Sequence, residues 1–134
     1  MKKNHTFYCN IYAIFILTIT AFGDTIYPQH SCTFKMLETE GTGYLEVSSS
    51  SATAITSFPY GFCTLYVDIV GQFYVAGSTK VDSISNHNSK EWYNVSAEIQ
   101  NVDYLSNYGE WINVHSEHYC IFDGQKSTIG VCDY

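Results

Sequence analysis

The stretch Phe58–Ile84, FPYGFCTLYVDIVGQFYVAGSTKVDSI, decides the fold class. Cys63 to Val70 is a run of apolar, aromatic and β-branched side chains with a single acid, Asp68, inside it. Gly71-Gln72 follows and reads as a two-residue hairpin turn, because glycine accepts the positive φ such a turn requires. Phe73 to Ala76 resumes the β-type run, Gly77-Ser78-Thr79 breaks it, and Val81 to Ser85 closes a three-stranded meander. Its middle is apolar enough to be the two-sided centre of a sheet.

Working outward, Ala52–Phe58 reads as a strand and the serine run Ser48–Ser51 as a loop; no glycine elbow or neighbouring histidine accompanies those serines. Cys32–Glu40 is open between two readings. Thr33 caps a short helix through Lys35, Met36, Leu37 and Glu38, or the segment is a strand paired with Tyr44–Val47 across the turn Glu40–Gly43. Ser85–Lys90 reads as a turn cluster. From Trp92 to Ile99 the side chains alternate, with Tyr93, Val95, Ala97 and Ile99 on one face, which is a strand with one wet side. Gln100–Glu110 lacks a period and reads as a loop. Trp111–His115, Tyr119–Phe122 and Ser127–Val131 read as short strands, the last two joined by the type I′ signal Asp123-Gly124. The expected class is α+β, mainly antiparallel β, with one short helix packed on a meander sheet; an all-β sandwich is the alternative.

The first 23 residues carry Lys2 and Lys3, an apolar run from Ile11 to Ala21, and small residues before Asp24. They read as a secretory signal peptide. Residues 24–134 are then one domain, without a second segment able to span a membrane. Removing Cys9 with the leader leaves Cys32, Cys63, Cys120 and Cys132, an even set that predicts two disulfides with three connectivities open. Their spacing fits no zinc pattern, and neither metal nor cofactor is expected. Asn94-Val95-Ser96 is a glycosylation sequon in a secreted chain.

Thirteen acids face Lys35, Lys80, Lys90 and Lys126 in that domain, and the sequence has no arginine. Phosphate-backbone binding needs clustered cations, so nucleic acid is not an expected partner. The acidic surface favours solubility and a basic partner.

A resemblance adds to this. Signal peptide, early cysteine (Cys32, after Tyr27), short mature chain and late cysteine are ordered as in the small secreted guanine-specific ribonucleases of fungi. The order resembles still more their non-catalytic relatives, the RNase-like effectors of powdery mildews. Ser57-Phe58-Pro59-Tyr60, Leu65–Ile69, and Phe73–Gly77 with Asp82 beyond follow the family's Ser-Tyr-Pro-His, aromatic-Glu and Tyr-x-x-Gly segments. Tyr27 and Cys32 lie in YPQHSC, which departs from the family's Tyr-x-Cys. The catalytic set is absent: Phe58 and Tyr60 replace tyrosine and histidine, Val67 (or the displaced Asp68) the glutamate, Ser83 the arginine, and Ala97 the late histidine. Phosphodiester cleavage needs a base, an acid and a cation, which those residues do not supply. The resemblance implies an RNase-like fold without ribonuclease activity. It also implies a bridge from Cys32 to Cys120 or Cys132, with Cys63 taking the other, and a secreted effector, translocated into host cells or acting outside them.

Three groups of residues remain to be weighed as sites. His115 and His118, in HSEH, read as a solvated turn, or as the acid/base pair of an active ribonuclease or hydrolase, with Glu98 or His30 completing a metal set. Asp68 reads as an outward acid. Tyr104 and Tyr108, on the aperiodic loop, are candidate interface anchors, since exposed tyrosine supplies rigid contact area with a polar tip. The expected partner is a host protein, no membrane is expected after leader removal, and a monomer is the expected state. An unrelated small β-sandwich effector is the alternative to the RNase-like one.

Overall fold

The computed structural model describes residues 30–134, so the leader and its cleavage point lie outside the described residues. Among the described residues, nine strands form two antiparallel sheets. The first sheet contains β1 (His30–Met36), β2 (Thr39–Val47), β3 (Ser51–Ser57) and β6 (Asn94–Gln100), in the order β1-β2-β3-β6. The second has β5 (Val81–Glu91), β4 (Thr64–Tyr74) and β7 (Glu110–Phe122) in that order. On the far side of β7 lie β8 (Gln125–Lys126) and β9 (Gly130–Asp133). Strict alternation of buried and exposed residues drives this packing. Phe34 and Met36 of β1, Leu45 and Val47 of β2, Leu65, Val67 and Ile69 of β4, Val95, Ala97 and Ile99 of β6, and Val114 and Cys120 of β7 meet between the sheets.

The α+β expectation is overturned. No helix occurs among the described residues, and the sandwich alternative fits. With it goes the RNase-like fold, whose single helix should pack on one sheet. The segment read as helix, Thr33–Glu38, is β1 and its turn: Phe34 and Met36 gain burial in a strand, and that outweighs local propensity. The hairpin turns at Leu37, whose φ is 54°, and not at Glu40–Gly43. Gly41 and Gly43 sit inside β2 because aromatic rings lie on them. A Cβ on Gly41 would overlap the Phe34 ring, and one on Gly43 the His118 ring.

Gly71-Gln72 does not turn either. β4 runs through both, with a register shift between Gln72 and Phe73, and Gly71 leaves room for the Trp111 indole. Ser85–Lys90 belongs to β5, and β7 is continuous where two strands were expected. The turns at Gly77 (φ 68°) and Asp123-Gly124 (φ 48° and 73°) stand as read.

The edges of the first sheet are closed by specific bonds, which leaves less backbone for pairing with another chain. Asn86 Nδ2 and Asn88 Nδ2 on β5 donate to the Glu98 and Ser96 carbonyls of β6 at 2.9 and 2.8 Å. At the other edge, Thr128 N donates to the Lys35 carbonyl at 2.9 Å, and Lys35 N to Thr128 Oγ1 at 2.7 Å.

Candidate functional site

Among the described residues the chain crosses between sheets three times, and the crossing from β6 to β7 builds the loop that carries Tyr104 and Tyr108. Asn101 anchors it. Its side chain is fully buried and its Nδ2 donates to the Ser49 and Gly109 carbonyls at 2.9 and 3.0 Å, tying the loop's two ends and the β2–β3 turn together. The Asn101 Oδ1 is the one buried side-chain oxygen or nitrogen among the described residues without a partner. Asp103 shapes the tip. Its Oδ1 accepts the amides of Leu105 and Asn107 at 2.8 and 2.9 Å, and its own amide donates to the Asn107 carbonyl at 3.0 Å. The Asn107 amide holds the Asp103 carboxyl below its ordinary pKa, so the bond persists into acid. Ser106 takes a φ of 65° to close the turn.

This hydrogen-bonded frame holds Tyr104 92 % exposed, with Leu105 beside it and Tyr108 over an open groove. The groove, about 600 Å³, runs between Tyr74–Thr79 and Tyr108–Glu110. Sequence reading found the tyrosines and missed the frame. Its signal was Asn101, Asp103 and Asn107, residue types that fold back on their own backbone.

The two histidines of HSEH are not brought together. Position i and i+3 on an unbroken strand face opposite ways. His115 is on the outer face, where its Nδ1–H donates to Asp133 Oδ1 at 2.6 Å. His118 is fully buried on a continuous strand, so the segment is not a solvated turn and the two rings do not share a face. His30 packs edge-on against Tyr134 and Glu98 is on the outer face of β6, so neither joins it. Asp68 is half-exposed on the outer face of the second sheet, opposite His87 and Glu117. Its charge contributes, after burial, to raising the Tyr119 pKa.

Around His118 stand Thr56, Ser116, Cys32 and Cys132. The Cys32 and Cys132 sulfurs are 2.7 Å apart, and together with a His118 ring nitrogen their atoms fall within 4.8 Å of one another. Cys63 and Cys120 are hydrogen-bonding neighbours in turn. Desolvation, with a smaller push from His115, lowers His118 to about 4, so its imidazole is neutral at physiological pH. The same burial raises all four thiols, Cys120 to about 11. Beside a neutral imidazole, neither a protonated thiol nor a disulfide sulfur supplies the thiolate–imidazolium pair a cysteine nucleophile needs. Three soft donors so placed have the chemistry for a zinc or copper(I) ion only if both sulfurs are free thiolates.

Asn94, of the sequon, is exposed at the start of β6, beside Trp92 and Tyr93. No family model matches the chain, and neither does any curated protein or solved structure.

Proposed function

We propose that this chain is a secreted, non-catalytic binding protein of the effector type, a disulfide-stapled β-sandwich that engages a host protein through the loop bearing Tyr104 and Tyr108. The loop carries the reading. Fixing a segment costs about 1–2 kcal/mol per residue in backbone entropy. Here Asn101 and Asp103 order a segment that buries none of its tip. Order of that kind lowers the backbone cost of binding, and an exposed tyrosine on a fixed backbone is a common interface anchor. Glu110 lines the groove, and the body around it is acidic, so a partner presenting a basic segment is the complementary one.

Absence of catalysis is part of the proposal. It is supported by the separation of His115 from His118 and by the satisfied, neutral state of the latter. Disulfides Cys32–Cys132 and Cys63–Cys120 are proposed from the pairing of the thiols; of the connectivities the resemblance left open, this pairs Cys32 with the final cysteine.

The test is photocrosslinking from residue 104 in host extracellular fluid and in host cell extract. The reading expects one discrete host adduct, lost in Asp103→Ala, and no turnover of RNA by the same preparation. Turnover abolished by His118→Ala would replace it with the hydrolase reading.

A further inference from the structure

The opposite end of the sandwich has a different chemistry. There the β1–β2, β5–β6 and β7–β8 turns and the crossing from β3 to β4 come together, because the strands they join are in register at that end. Six large side chains project from them: Leu37 (74 % exposed), Tyr60, Phe62 (57 %), Trp92 (54 %), Tyr93 and Phe122. They are contiguous. Phe62 stacks on Tyr60 at 5.3 Å and meets Phe122 edge-on at 4.9 Å, Trp92 meets Tyr93 at 5.6 Å, and Gly61 passes close under the Tyr93 ring. A groove of about 280 Å³ opens among Leu37, Phe62 and Phe122, with Met36 and Phe58 at its base and Thr39 its one polar liner. Monomeric proteins rarely leave so much contiguous apolar surface without a use for it.

Charge is distributed to match. Lys35, Lys90 and Lys126, three of the four lysines of the described residues, lie within a few residues of these turns, among Glu38, Glu40, Glu91 and Asp123. The remaining acids are set against Lys80 alone. The aromatic end is thus close to neutral on a strongly acidic body. Protein interfaces carry direct hydrogen bonds at a regular density, and the groove offers such a partner one polar side chain, Thr39. Tryptophan and tyrosine at loop tips, with Lys35, Lys90 and Lys126 nearly balancing the four acids beside them, instead match the headgroup boundary of a bilayer, where amphipathic rings and cations settle.

We propose that this end is a membrane-docking tip, with the six side chains entering the headgroup–acyl boundary and the acidic body facing away. It adds a partner that the sequence reading had excluded. That exclusion concerned spanning segments, and adsorption by exposed side chains requires none.

The experiment uses protein without a glycan at Asn94 and vesicles of phosphatidylcholine with a minor share of phosphatidylserine. The protein should float with the vesicles, and its tryptophan emission should move to the blue and be quenched by lipids brominated in the upper acyl chain. Trp111, half-buried near the other end with its indole donating to the Ser48 carbonyl at 3.1 Å, should contribute none of that change. Trp92→Phe should therefore abolish the spectral shift. Phe62→Glu should lower the partition about tenfold or more, since a charge must then be desolvated, while Val131→Ser, which trims an exposed apolar residue on β9, should not. Absence of co-flotation, or equal partition of wild type and Phe62→Glu, overturns the proposal. So does a concentration-dependent dimer that Phe62→Glu dissolves without any lipid binding, which would assign the end to a second copy of the chain.

Discussion

Thr56 and His118 face each other across the interior, Thr56 Oγ1 2.8 Å from His118 Nδ1. The threonine spends its one proton on the Tyr66 carbonyl, also at 2.8 Å, so it can only accept from the ring. His118 is therefore the neutral Nδ1–H tautomer, and its Nε2 accepts from Ser116 Oγ at 2.9 Å. Both ring nitrogens are paired as the neutral imidazole; a second proton would reverse the Ser116 bond and bring a charge into a buried site with no carboxylate beside it.

From this follows an acid-sensitive stability. The folded-state pKa of about 4 is below the ordinary value of 6.5, so the unfolded chain binds the extra proton over that interval. Stability should be full above about pH 6.5 and fall as pH drops toward 4, by about 3 kcal/mol from this group alone. Denaturant titrations of the wild type and His118→Gln check it: the variant should be less stable near neutrality and lose little more between pH 6.5 and 4.

The cysteine pairs make a second expectation. Under non-reducing denaturation, Cys32, Cys63, Cys120 and Cys132 should resist alkylation, and peptide mapping should return Cys32–Cys132 and Cys63–Cys120. The first closes 100 residues, so Cys32→Ser should remove about 5 kcal/mol in the chain-entropy model and lower the melting temperature sharply. Four alkylated cysteines, or an unchanged melting temperature, would contradict it.

Gly43 should tolerate no side chain. Its Cβ would fall on the His118 ring and 2.7 Å from Cys32 Sγ, neither of which has room to withdraw. Gly43→Ala should destabilise by about 1–3 kcal/mol by overpacking, whereas Gly77→Ala, with open space around it, should cost only the strain of a positive φ. Thermal melts of the two variants separate the cases.

Asn101→Ala should cost about 1–2 kcal/mol, because the part-buried Ser49 and Gly109 carbonyls lose their shared donor. It should also speed amide exchange at Leu105 and Asn107 without changing exchange in β4 or β7. Exchange measured by mass spectrometry reads both.

How much of this was legible in the sequence depends on how local each signal is. The alternation from Val95 to Ile99 and the Asp123-Gly124 turn were readable because neighbours in sequence determine them. Gly41, Gly43 and Gly71 were misread because the reason for each glycine is a ring from a distant strand: Phe34, His118 and Trp111. Phe34 and Met36 looked helical by composition, and only the opposing sheet shows why their alternation prevails. At the candidate site Tyr104 and Tyr108 stood out as aromatics in an aperiodic stretch. That His118 points inward follows from the continuity of β7, which the polar run at Ser116-Glu117 concealed. The aromatic tip draws on four separate connections, and no window of sequence contains it.

The binding proposal depends on the loop being ordered before any partner arrives. Backbone ¹⁵N relaxation of Asn101–Gly109 in the free protein tests that most directly. Order parameters near 0.85 through Asp103–Asn107, equal to those of the flanking strands, are the predicted result. Values below about 0.6 at Tyr104 would contradict it, since a mobile tip would hold no anchor in place.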